Sequence, residues 1–169
     1  MGKNIILNKS TLCALCTLCA FGARIGGEEG MLMQSVLNAT EVRANFGGFI
    51  DNVVREKPQF VKRNRDVITS FSLQQMKLLM EVYEITFEFE EQNGIFTGSI
   101  EQVEDIVSEA SSLEELRNDL AKQLVDYAGE FYDSYREYIA APNRKAHAPY
   151  ILRVLLYNDV SEVAELLHG

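Results

Sequence analysis

The residues best suited to bond-making chemistry sit at the start of the chain, where Cys13, Cys16 and Cys19 follow one another at steps of three. On a helix this spacing would put three thiols on one side. A tetrahedral zinc site needs a fourth ligand, and bacterial iron–sulfur runs end in a further Cys followed by Pro. The chain's two histidines, His147 and His168, lie far away in sequence. No metal site is therefore expected, and with no Cys elsewhere to staple, no disulfide framework either. Catalysis needs a nucleophile or a metal held beside a tuned base. Here the histidines are isolated, no HExxH pair occurs, and Gly26-Gly27 to Gly30 lacks the Lys-Ser/Thr ending of a phosphate cradle. Carboxylates are plentiful, but no spacing singles out a pair. The expectation is a protein without catalytic residues or cofactor, not an enzyme.

Charge is more informative. Residues 1–81 carry ten Lys or Arg against seven Asp or Glu, a net +3, whereas residues 82–169 carry six against eighteen, a net −12; together they give the chain's −9. An acidic protein can still bind nucleic acid when its basic groups share one face, because the local field governs phosphate contact. Arg55, Lys57, Lys62, Arg63 and Arg65 crowd a short stretch that holds one acid, Glu56. Such a cluster can contact phosphates with salt-dependent strength. The same charges could equally be solvated groups that discourage strand-edge pairing.

These basic residues must be positioned by local elements, and the pattern supplies them. Residues 32–37 read as a short strand. Asn38 followed by Glu41 is a capping-box signal, and Val42, Phe46, Phe49, Ile50 and Val53 recur at helical steps, so one helix is expected up to Arg55-Glu56-Lys57-Pro58, with Gly47-Gly48 in its interior. Phe60-Val61-Lys62-Arg63 and Asp66 to Phe71 read as a hairpin around Asn64-Arg65. Ser72 with Gln75 signals a last helix through Met80. A β-α-β-β-α unit of this size buries a small fraction of its surface. Dimerisation would compensate, with the first strand and the Gly-Gly helix, Phe46 and Phe49 on it, as the expected interface.

The run from Ser35 to Val53, continued by Lys57-Pro58, Phe60 to Val67 and Ser72-Leu73-Gln74-Gln75-Met76, resembles the Phd/YefM-type antitoxins. The resemblance covers residues 31–81. It implies a domain that dimerises, binds operator DNA to control its own operon, and leaves a more C-terminal segment to wrap a cognate toxin. It also implies that Arg43 corresponds to the family's helix Arg and that Lys62, Arg63 and Arg65 correspond to its basic hairpin, making these four the candidate DNA-binding residues. The family's usual turn Gly is replaced by Asn64-Arg65-Asp66, so base-specific contacts are not carried over.

Tyr83, Ile85, Phe87 and Phe89 alternate with Glu84, Thr86, Glu88 and Glu90, the mark of a strand packed on one face. A turn at Glu91 to Gly94, a returning strand at residues 95–100, a third strand at 106–110 and a Ser112-capped helix follow. That helix carries Leu113, Leu116, Leu120, Leu124, Tyr127, Phe131, Tyr135 and Tyr138 in one continuous stripe, most simply a core or dimer surface, with its aromatic end large enough to be a binding patch. This β-β-β-α run at residues 82–140 is similar to HicB-type antitoxin domains, without that family's Pro-Gly-Cys-like segment. Residues 141–149 read as a loop with His147 in it. Two short helices follow, the second capped by Ser161, as a docking tail or toxin-binding arm at 141–169.

Residues 1–30 are expected to be an extension outside the fold, from a misassigned start or signal-like segment. No stretch is apolar enough for a confident membrane span. The resulting expectation is an α+β, cytoplasmic protein: an antitoxin-like homodimer or higher oligomer with operator DNA and a cognate toxin as partners and no membrane. The alternative is a non-enzymatic interaction module that does not bind DNA.

Overall fold

A computed structural model of the chain describes residues 35–169. The extension at 1–30, with its three cysteines, lies outside the described residues, as do residues 31–34. Ser35–Gly169 forms one compact unit. Its class is α+β, as the alternation of patterns predicts.

The chain opens with β1 (Val36–Asn38), α1 (Ala39–Ala44) and α2 (Phe46–Arg55), then β2 (Gln59–Arg63), β3 (Asp66–Ser70) and α3 (Leu73–Met80). These strands make a three-stranded sheet in the order β1-β2-β3. β1 lies parallel to β2, with Asn38 beside Lys62, and β2 pairs antiparallel with β3. Asn38 caps α1 through a complete capping box with Glu41, and Ser72 caps α3 through another with Gln75. Each box satisfies helix N–H groups that would otherwise lack partners.

The expected single helix is two. Asn45 leaves the helical region (φ −135°, ψ 60°), ends α1 and caps α2 by accepting from the Gly48 N–H at 3.2 Å. Gly47-Gly48 therefore sits in the first turn of α2 and not in a helix interior. The reason lies in space as well as propensity: a Cβ at residue 48 would come 2.5 Å from Asn45 Nδ2 and 2.9 Å from its Oδ1. A side chain at residue 48 would oblige the capping Asn45 amide to shift.

The acidic half contains β4 (Ile85–Gln92), β5 (Ile95–Ile100), β6 (Val107–Ala110), α4 (Leu113–Asp133), α5 (Tyr135–Ala140), α6 (Pro142–Lys145), α7 (Ala148–Val154), α8 (Val160–Leu166) and β7 (Leu167–His168). Its sheet runs β6-β5-β4-β7. β4 and β5 are joined by Asn93-Gly94, both at positive φ (56° and 79°), as a two-residue hairpin turn requires. β4 runs on to Gln92, so this turn is tighter than the four-residue one the composition suggests. β7 adds in parallel to the outer side of β4, pairing Ile85 with Leu167 and Thr86 with His168.

The core lies between this sheet and the helices. Ile85, Phe87 and Ile100 from the sheet meet Leu116, Leu120, Leu124 and Phe131 of α4, with Ile151 of α7 and Val163 of α8 closing the far side. Full burial of each such side chain is worth about 1.5–3 kcal/mol. The stripe on α4 is thus core, as its period indicates, but the helix does not run on to Tyr138. Ser134 breaks it, and α5 starts a new direction that returns Tyr138 onto Phe131, with ring centroids 4.9 Å apart. Residues 141–149 are largely helical, in α6 and the start of α7, where a loop was expected. α8 is capped by Asp159, which accepts from the Glu162 N–H, and not by Ser161. Ser161 instead donates its hydroxyl to Asp159, which with the backbone bonds holds the Asp159 carboxyl below its ordinary range.

By contrast, the core of the first sheet is small. Phe49, Val53 and Val61 are its buried apolar side chains, flanked by Leu37, Ala39 and Val42.

Candidate functional site

The basic hairpin is built from local rules. Asn64 takes the left-handed backbone (φ 57°) that lets β2 turn directly into β3, and Arg65 completes the two-residue loop. Gln59 and Val61 of β2 are buried, whereas Lys62 and Arg63 are exposed, because the strand runs past the helix that covers its root. Consecutive strand residues point to opposite faces, so Lys62 and Arg63 present charge on both sides of the hairpin, with Arg65 at its tip. Lys62 shares its face with Phe60, while Arg63 continues the face of Val61. The register also sets the capped start of α1 beside Lys62. Arg43, exposed in the last turn of α1, belongs to this neighbouring helix.

Among the described residues these four side chains have no ion-pair partner. The ion pairs among the described residues are Arg55–Asp51 and Arg144–Asp105, and neither involves Arg43, Lys62, Arg63 or Arg65. Arg63 faces Asp66 across the strands without an ion pair. Four cations projecting into solvent on a hairpin and an adjacent helix can each contact a phosphate without first breaking an internal bond.

The same unit also exposes apolar side chains. Phe46, Ile50 and Val54 form a stripe along α2 at steps of four, and all are exposed, Phe46 to 60%. Phe49, also expected at the interface, lies in the unit's own core at 9% exposure and stacks on Phe46 at 6.2 Å. Val67 and Ile68 of β3 and Leu73, Leu78 and Leu79 of α3 are exposed as well. So much open apolar surface on so small a unit is what association covers.

A second polar cluster lies in the acidic half and was not foreseen. Tyr127 accepts from Arg144 Nη1 at 3.0 Å and lies 2.8 Å from His147 Nδ1, while Arg144 pairs with Asp105 at 3.0 Å. Arg144 can only donate, so the Tyr127 hydroxyl proton is free for Nδ1 of a neutral His147. Burial, and then the Arg144 charge, lower the His147 pKa below its ordinary value. Donating to the Tyr127 hydroxyl oxygen holds Arg144 still more firmly charged. The network joins α4 to α6 and to the loop before β6. It holds neither a nucleophile nor a metal-binding group of three ligands among the described residues, and its local sequence, a lone His beside two basic residues, gives no hint of the Tyr127 contact.

Over residues 33–169 the chain matches the family described as "PHD_like: Antitoxin of toxin-antitoxin, RelE / RelB, TA system". The chain belongs to this antitoxin family. The antitoxin is also similar to a crystal structure, at 1.80 Å resolution, from Syntrophomonas wolfei subsp. wolfei, described as the antitoxin part of a proposed toxin/antitoxin system. The two are 41% identical, with a TM-score of 0.75 over 80% of this chain and 97% of that one. None of the curated proteins matches the antitoxin. Membership implies a cognate toxin as partner. No helix of the described residues is long and apolar enough to cross a membrane.

Proposed function

We propose that this antitoxin binds operator DNA as a homodimer to regulate its own operon, and holds its cognate toxin through its C-terminal half. Residues 31–81 act as a Phd/YefM-type unit, residues 82–140 as a HicB-like acidic unit and residues 141–169 as a segment docked on it. The protein works in the cytoplasm by binding alone, without cofactor or catalysis.

The observation that carries the reading is the set of exposed cations, Arg43, Lys62, Arg63 and Arg65, without ion pairs among the described residues, in a unit that also exposes an apolar stripe. Pairing α2 stripes through Phe46, with Phe49 supporting it from beneath, would enlarge a core of three buried apolar side chains. A two-fold pair of hairpins reads a two-fold operator. The acidic half offers a field complementary to a basic partner.

The test is binding of the full chain to DNA from upstream of its own gene, measured across a salt series. The logarithm of affinity should fall with a slope of about −0.9 per phosphate neutralised. Replacing Arg63 and Arg65 by Ala in both protomers removes up to four contacts, making the slope shallower by about 3–4. Absent or salt-insensitive binding overturns the DNA part. A toxin complex that persists without any DNA shift would favour a pure interaction module.

A further inference from the structure

Arg153 is a buried cation without an ion pair among the described residues. It lies on α7 at 7% exposure, and its Nη1 donates to the backbone carbonyls of Tyr83 at 2.6 Å and Glu81 at 3.2 Å. Among the described residues it has no carboxylate partner, and its remaining donors have no hydrogen bond. Carbonyl dipoles solvate a guanidinium but leave its charge uncancelled, and the nitrogens that make no bond within the fold are not sealed from solvent, so they can meet an anion.

This side chain lines a cleft of about 650 Å³, of the size that small-molecule sites occupy. Lys77 of α3 stands on the same wall, its ammonium 3.9 Å from the centroid of the Tyr157 ring and without an ion pair among the described residues. Gln74, also lining the cleft, has no hydrogen bond among the described residues. Val54 and Leu78 from the first half and Leu166 from α8 make up the apolar part. Glu81 supplies one carboxylate, paired with neither cation. In a chain of net charge −9, two cations face one acid here, and one of the cations is buried.

We infer that this cleft binds a small molecule bearing an oxyanion, either carboxylate or phosphate, joined to an apolar body. Arg153 and Lys77 take the oxyanion, with Gln74 as a further donor, and the body lies along Val54, Leu78 and Leu166. Charge-assisted hydrogen bonds of this kind are the strong ones. Arg153 also fixes the backbone at Glu81 and Tyr83, and the ligand is expected to complete that arrangement by supplying the missing negative charge.

The test uses the full chain and three probes of six carbons each: hexanoate, hexyl phosphate and 1-hexanol. Binding is followed by NMR shifts of the Tyr157 ring and of the amides around residues 74–78, and by the thermal midpoint. Hexanoate or hexyl phosphate should bind at least about tenfold more tightly than hexanol, the worth of a charged hydrogen bond, and the tighter of the two identifies the oxyanion. Lys77→Ala, on a half-buried helix side chain outside the core, should weaken the anionic probe by about tenfold and leave hexanol unchanged. The inference is overturned if neither anion binds at millimolar concentration or if hexanol binds as well as both. It also fails if the shifts fall on residues 62–65, or if Lys77→Ala binds the anion as tightly as the unaltered chain.

Discussion

Adding one methyl group at two glycines should change stability in opposite directions. At Gly98, in β5, an added Cβ would come 2.6 Å from the carbonyl oxygen of Glu88, 3.0 Å from Leu116 Cδ2 and 3.2 Å from Phe89 Cβ. The carbonyl belongs to the paired strand β4 and cannot rotate away, while Leu116 is fully buried. Gly98→Ala must therefore push β4 or α4 outward, an overpacking that costs about 1–3 kcal/mol. At Gly129, exposed within α4, nothing lies within 4 Å of the added carbon. There Gly129→Ala should stabilise by about 0.5–1 kcal/mol through helix propensity and a less free unfolded chain. With a midpoint shift of about 2–4 °C per kcal/mol for a chain of this size, thermal unfolding followed by circular dichroism should separate the two variants by several degrees. Urea titrations should give the same order. If Gly98→Ala is as stable as the parent chain, the close packing of β4, β5 and α4 is wrongly described. A destabilised Gly129→Ala would equally refute the account of α4.

Protonation of His147 should weaken the fold. Its pKa is lowered in the folded state, so below about pH 6.5 the unfolded chain binds more protons, and the network's stabilisation, complete above that value, is lost as pH falls through the folded-state pKa. The urea midpoint should therefore drop on going from about pH 7 to about pH 5, and drop less in His147→Gln; equal pH dependence of the two would remove His147 from the explanation. Phe46→Asp places a charge on the α2 stripe, where it remains solvated in a single chain, so it should reduce the assembled mass seen by light scattering without unfolding the acidic half. An unchanged mass would exclude Phe46 from the interface.

What the sequence made legible was local. Asn38 with Glu41 and Ser72 with Gln75 are each decided within a few residues and form as the pattern predicts, while the turn expected at Glu91 to Gly94 forms but tightens to Asn93-Gly94. The breaks at Asn45 and Ser134 were hidden because the apolar period continues across both. Only the pair Gly47-Gly48 following an Asn could have signalled the first. β7 is two residues long, too short to show an alternation, and its pairing depends on β4 far away in the chain. The same contrast applies to function. The basic hairpin could be seen because its charges are neighbours in sequence. The Arg153 cleft could not, since α2, α3, α7 and α8 each contribute to its wall, and Arg153 in the sequence is one charge in an apolar run.

The joining of Ile85 to Leu167 has a kinetic consequence. The acidic sheet begins near the start of its half of the chain, but its outer strand comes from the other end. The β4–β5 hairpin can form early, from contacts close in sequence, whereas β7 must wait until α7 and α8 have packed on α4. Closing so long a loop is slow compared with forming a hairpin. Until then the N–H and C=O of Ile85, on the outer edge of β4, lack strand partners, whereas those of Thr86 are met on the other side by Gln102 Oε1 and the Glu101 N–H. Refolding should thus pass through a species that recruits strands from other chains, and its yield should fall as protein concentration rises. A few residues of parallel pairing thereby set the pace at which the acidic half becomes safe from association.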